Sequence, residues 1–154
     1  MYTSSSTIEV NPPNARTVLM PDQVWEGMLA KARNPVGIVP GATNPEIVEE
    51  YPDGFLRRMA VHGQVIRERI TISPSVQVLY TRVASPGDEG FIANTLSDLD
   101  GRPMLTFAVA VSVSGAAAGS AEEQEGGLKL TQDYRSAMRT VLDRARKAAV
   151  PRRD

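Results

Sequence analysis

The stretch FLRRMAVHGQVIRERITISPSVQVLYTRV, residues 55–83, decides the fold. Apolar side chains recur there at every second position between turn residues, which is the pattern of successive strands. Phe55, Met59 and Val61 share a face with Arg57, while Leu56, Arg58 and Ala60 take the other face. Ile66, Ile70 and Ile72 share a face with Glu68, and Val76 and Val78 share one with Tyr80 and Arg82. A face that only packs a core has no use for two arginines, a glutamate and a tyrosine. These faces read as the lining of a cavity.

Working outward toward the N-terminus, residues 7–10 alternate like a strand and are stopped by Asn11-Pro12-Pro13-Asn14. Pro21 suits a first helical turn and Asp22 suits the positive end of the dipole, although Met20 supplies no capping hydroxyl. Val24, Trp25, Met28, Leu29 and Ala32 recur at helical spacing until Asn34-Pro35. Residues 35–39 allow one further turn, so two short helices are expected after the first strand. Toward the C-terminus, strands are expected at 46–51, 55–62, 65–72, 76–83, 90–97 and 104–113, joined by short turns in an antiparallel meander. Residues 114–127 are rich in Gly, Ala, Ser and Glu without an apolar period and read as a mobile loop. Residues 128–149 form the longest helix, with Leu130, Tyr134, Ala137, Met138, Val141, Leu142 and Ala145 as its apolar stripe, and residues 150–154 are a tail.

Strand, two short helices, meander and long helix make an α+β chain of one domain. A curved antiparallel sheet of about seven strands must cover its apolar face, and only the last helix is long enough to do so. A helix of about 20 residues spans ~30 Å, so over a curved sheet it leaves a gap beneath its middle.

Composition narrows the chemistry. A length of 154 residues, 42% hydrophobic and 23% charged, is ordinary for a globular domain. A net charge of −1 gives no reason to expect nucleic acid or an anionic membrane as partner. Zero cysteines exclude disulfides and thiolate chemistry, and one histidine leaves little for a zinc site or a Ser-His-Asp triad. Neither a signal peptide nor a membrane span is visible, so a cytoplasmic protein without metal or cofactor is expected. A homodimer stays open.

Several short motifs carry a family likeness: Asn11-Pro12-Pro13, Asp22-Gln23-Val24-Trp25, Lys31-Ala32-Arg33-Asn34-Pro35, Val48-Glu49-Glu50, Glu68-Arg69-Ile70 and the stretch 101–107. They resemble the AtaL-like family, named after a member of the fungal acetylaranotin biosynthetic cluster. The order of elements is similar to the helix-grip fold of START-type lipid-transfer domains and the birch-pollen-allergen class. The resemblance implies that fold and a hydrophobic ligand. It transfers no catalytic signature. Met20-Pro21 at the helix start and the Gly/Ala loop after Val113 depart from the family pattern.

Matching apolar faces gives a register. With Val61 opposite Ile66, Met59 faces Glu68 and Arg57 faces Ile70, leaving Arg57 and Glu68 as diagonal neighbours. With Ile72 opposite Val76, Glu68 faces Tyr80 and Ile66 faces Arg82. Ile92, Asn94 and Leu96 face Val109, Phe107 and Leu105. Arg57, Glu68, Tyr80, Arg82 and Asn94 then form one polar band under the long helix.

That band reads as an internal ion-pair network, as a patch that orients a polar group of an apolar ligand, or as solvent-facing residues if the facing is wrong. The ligand-binding candidates are Trp25, Arg57, Met59, Glu68, Tyr80, Arg82, Asn94, Phe107, Tyr134 and Met138. Core packing is the simpler role for Trp25, Tyr134 and Met138, and a surface role is simpler for His62. Three functions compete: a binder of a hydrophobic intermediate of specialised metabolism, a cofactor-free cyclase, dehydratase or hydrolase using Glu68 and Tyr80, and an interaction module with a filled core.

Overall fold

In a computed structural model, which describes residues 1–83 and 89–150, period-two segments become strands and the two amphipathic segments become helices. The order is β1 (Tyr2–Glu9), α1 (Pro21–Arg33), β2 (Ala42–Tyr51), β3 (Gly54–Val61), β4 (Gln64–Ser73), β5 (Gln77–Arg82), β6 (Gly90–Leu99), β7 (Arg102–Val111) and α2 (Ala121–Ala149). The strands make one curved antiparallel sheet in the order β1-β7-β6-β5-β4-β3-β2. Bulges in β2 interrupt its ladder after Thr43 and Ile47, and bulges bend and twist the strand that carries them. Phe55, Ile70, Val78, Ile92, Phe107 and Val109 of the inner face meet Ala137, Met138, Val141 and Leu142 of α2 in one apolar cluster, which α1 closes with Val24 and Met28.

Four elements differ from expectation, among them β2, which begins at Ala42 rather than at residue 46. No second helix forms at residues 35–39, which make only a hydrogen-bonded turn, in which Ile38 and Val39 N–H both donate to Pro35 O. Pro40 and a positive φ at Gly37 (72°) leave no room to propagate it. Helix α2 begins inside the expected loop, because Ser120 caps it by accepting from Glu123 N–H at 3.1 Å. Its early Gly127 lies so close to the Tyr2 ring that a Cβ would sit 2.1 Å from it. Strand β1 starts at Tyr2, whose residues through Ser6 pair with β7 despite weak strand propensity. The expected loop at 85–88 and residues 151–154 of the tail lie outside the described residues.

Registers shift by two residues in two hairpins. His62 (φ 48°) and Gly63 (φ 81°) form a two-residue turn that sets Val61 opposite Gln64. Arg57 therefore sits directly opposite Glu68, and Phe55 opposite Ile70. Between β4 and β5, Pro74 and Ser75 (φ 61°) occupy a turn closed by Val76 N–H to Ser73 O at 3.0 Å. Glu68 then faces Arg82, Ile70 faces Tyr80 and Ile72 faces Val78. A shift of two keeps every side chain on its expected face. The β6–β7 register is as expected, with Asn94 opposite Phe107 across the Asp100-Gly101 turn.

Candidate functional site

Neighbouring strands present Arg57, Glu68, Tyr80 and Asn94 on one face, and all four are at most 2% exposed. The Arg57 guanidinium ties this face to the first helix. Its Nη2 donates to Glu68 Oε2 at 2.5 Å, while Nη1 donates to Ala32 O at 2.6 Å and Lys31 O at 3.3 Å. Those carbonyls belong to the last turn of α1, where helical acceptors lack partners and a cation meets the negative dipole end. Glu68 lies between Arg57 and Arg82 in the ladder, so its buried carboxylate has cations on both sides.

Helix α1 adds a residue that the strand pattern did not announce. Lys31 is 3% exposed. Its Nζ donates to Asn94 Oδ1 at 2.6 Å and to the Tyr80 hydroxyl at 3.3 Å, and lies 4.4 Å from the Tyr80 ring centroid. Burial, and secondarily the Arg57 charge, lowers its pKa to about 7, while Glu68 opposes the shift. Tyr80 moves upward through burial, so it stays a neutral hydroxyl. Burial likewise raises Tyr134, on α2, to about 12, and Arg82 hydrogen-bonds this hydroxyl. The signal for Lys31 was in the sequence: Val24, Met28 and Lys31 stand at i, i+4 and i+7, on one helical face.

A small void separates these groups. Lys31, Val39, Arg57, Met59, Val61, Glu68, Tyr80, Ile92 and Tyr134 line it. It holds about 20 Å³ open to the centre of a water molecule, which is room for about one water. Larger hollows of about 190 and 290 Å³ lie at the surface, but they gather no buried polar side chains.

Five of the ligand-binding candidates are on the void: Arg57, Met59, Glu68, Tyr80 and Tyr134. Asn94 reaches it through Lys31, and Arg82 through Glu68 and Tyr134. Trp25, Phe107 and Met138 belong to the apolar cluster beside it, with Phe107 and Tyr134 ring centroids 6.5 Å apart. His62 stands away from this group, half-exposed at the β3–β4 turn, with Nε2 3.0 Å from Asp133 Oδ2. Among the described residues, no three His, Cys, Asp or Glu side chains gather as metal ligands, and no helix is long and apolar enough to cross a membrane.

The family model described as acetylaranotin biosynthesis cluster protein L matches residues 4–151. The chain belongs to that family. No curated protein matches it. Among solved structures, it is similar to the ZhuI aromatase/cyclase from Streptomyces sp. R1128, with 20% identity, a TM-score of 0.67, and coverage of 97% of this chain and 96% of that one. The two-domain aromatase/cyclase StfQ of the steffimycin biosynthetic pathway superposes with a TM-score of 0.70 at 10% identity. There the match covers 96% of this chain and 52% of the StfQ chain. Ara h 8.0201 matches with a TM-score of 0.61 and 16% identity, over 92% and 98% of the two chains. At these identities the likeness concerns the fold, which is the helix-grip fold.

Proposed function

We propose that the protein binds a hydrophobic small molecule between the sheet and α2, with an oxygen of that molecule directed at Lys31, Tyr80 and Arg57. The observation that carries this reading is a buried polar centre beside a void that is otherwise walled by Val39, Met59, Val61 and Ile92. Ligand sites combine mostly apolar walls with a few convergent polar groups, and this one has both. The void as it stands takes one water, so a larger guest enters as its lining side chains move. Met59 is the most adaptable of the apolar ones, being unbranched with three rotatable bonds. The family description and the aromatase/cyclase neighbours support a guest drawn from specialised metabolism.

A test uses 2-acetonaphthone, an apolar aromatic ketone, and a thermal-shift assay. At a concentration of about 100 times Kd, binding stabilises the folded state by about 2.7 kcal/mol. Val39→Phe fills the void and is expected to abolish the shift while circular dichroism remains unchanged. An equal shift in the folded variant would place the ligand elsewhere.

A second reading, a cofactor-free enzyme of cyclase, dehydratase or hydrolase type, is favoured by one observation. The Lys31 amine sits within hydrogen-bond reach of the Tyr80 hydroxyl and can exchange a proton near neutral pH. In this reading Tyr80 acts as a hydroxyl donor, and Glu68, clamped by Arg57, positions the centre. Mass spectrometry of products formed from candidate intermediates separates the two readings. Turnover lost in Tyr80→Phe supports the enzyme, and turnover unchanged in both Tyr80→Phe and Glu68→Gln excludes these residues from it.

A further inference from the structure

The polar centre contains more donors and more positive charge than it can satisfy internally. Its fully buried ionisable groups are Lys31, Arg57 and Glu68, which become two cations to one carboxylate whenever Lys31 takes a proton. Among the described residues, Arg57 Nε and Asn94 Nδ2 are buried donors without a hydrogen-bond partner. Orphaned buried donors are destabilising, the more so when charged, so the centre is completed by an acceptor that carries negative charge. The void beside Lys31, Arg57 and Tyr80 is where such an acceptor would sit.

We propose that the site takes a weakly acidic hydroxyl compound, such as a phenol, as its oxyanion, and that Lys31 receives the hydroxyl proton on binding. The inference rests on the cavity being a ligand site and specifies the chemistry of its guest. In the step, the ligand O–H bond breaks, its electron pair remains on oxygen, and a new N–H bond forms on the Lys31 amine. No other reactant is needed. The resulting ammonium and the Arg57 guanidinium flank the oxyanion, and the Tyr80 hydroxyl is positioned to donate to it.

The groups facing Lys31 keep it a free amine, ready to take a proton, above about pH 7 in the empty site. Arg57 from β3 repels the ammonium and Glu68 from β4 attracts it, while Tyr80 from β5, Asn94 from β6 and Tyr134 from α2 surround it with neutral dipoles. Arg82 of β5 acts at one remove, opposite Glu68. Without a guest, Lys31 holds its proton weakly, near neutral pH. An oxyanion in the void supplies the missing counter-charge and tightens that hold.

The test uses 2-naphthol, whose naphthol and naphtholate forms differ in absorption, and 2-methoxynaphthalene, which has no proton to lose. Binding is followed optically at about one pH unit below the pKa of 2-naphthol, where roughly nine-tenths of the free probe is protonated. The probe is a weaker acid than the Lys31 ammonium, so at that pH Lys31 is a free amine before the probe binds. The expected result is a naphtholate spectrum for the bound 2-naphthol. In protein with ¹³C-dimethylated lysines, the Lys31 signal moves from its amine to its ammonium position at the same time. Lys31→Met is expected to reduce the preference for 2-naphthol over 2-methoxynaphthalene by about tenfold, the equivalent of one pKa unit. The two ¹³C and optical readings need no variant and decide the matter if Lys31→Met fails to fold. Bound 2-naphthol with a naphthol spectrum would overturn the proton transfer while leaving the cavity a ligand site. Failure of both probes to bind would overturn both.

Discussion

At the scale of single residues, Arg57 and Lys31 divide the work of the centre. Arg57 is structural first, because it joins Glu68 of β4 to the last turn of α1. Arg57→Met leaves Glu68 buried without that partner, and breaking a buried pair from one side costs about 3–5 kcal/mol. The loss should lie at the low end of that range, since Arg82 still faces Glu68. Urea denaturation checks this, and the double variant Arg57→Met/Glu68→Met should regain at least half of the loss. Lys31 makes its own pH signature. Its pKa is about 7 in the folded state against an ordinary 10.5, so between these values the unfolded chain holds the extra proton. Stability therefore rises with pH across that window, by at most about 1.4 kcal/mol per pH unit. Lys31→Met removes the rise, so the stability of the wild type relative to the variant should increase from about pH 7 to about pH 9. A constant difference would contradict the buried position of the amine.

At the scale of elements, strand faces were legible in the sequence and strand registers only partly so. Asp100-Gly101 is a familiar two-residue turn signal, and the β6–β7 ladder it sets is the one its apolar faces predict. His62-Gly63 makes the same kind of turn with a residue that tolerates positive φ less often advertised, so Arg57 moved from a diagonal to a direct partner of Glu68. The apolar positions of α1 do not announce Lys31, although it is buried on the same face as Val24 and Met28. Its partners Tyr80 and Asn94 are 49 and 63 residues away in sequence, and no local pattern encodes such a contact. The start of α2 was hidden by its two glycines, whose role is to admit Tyr2 and Val113 close to the helix. Gly127→Ala should destabilise by about 1–3 kcal/mol through overpacking against Tyr2, despite alanine's better helix propensity. Ser120→Ala should cost about 1 kcal/mol by removing the cap. Both are measured by chemical denaturation, and a neutral Gly127→Ala would show that α2 stands farther from β1.

At the scale of the whole molecule, the fold provides an apolar enclosure and the strand order carries polar groups to its centre. The order β6-β5-β4-β3 brings Asn94, Tyr80, Glu68 and Arg57 side by side, α1 lowers Lys31 onto them, and α2 closes the opposite side with Tyr134. On the proposed function, a guest binds inside, against this centre, rather than on the surface. Methyl NMR of protein labelled at its isoleucine δ1 methyls tests it directly, because Ile92 lines the void and neither surface hollow, whereas Ile47 is 36% exposed. On titration with 2-acetonaphthone the Ile92 signal should shift and saturate while the Ile47 signal stays in place. A shift confined to Ile47, with Ile92 unmoved at saturation, would contradict an internal site.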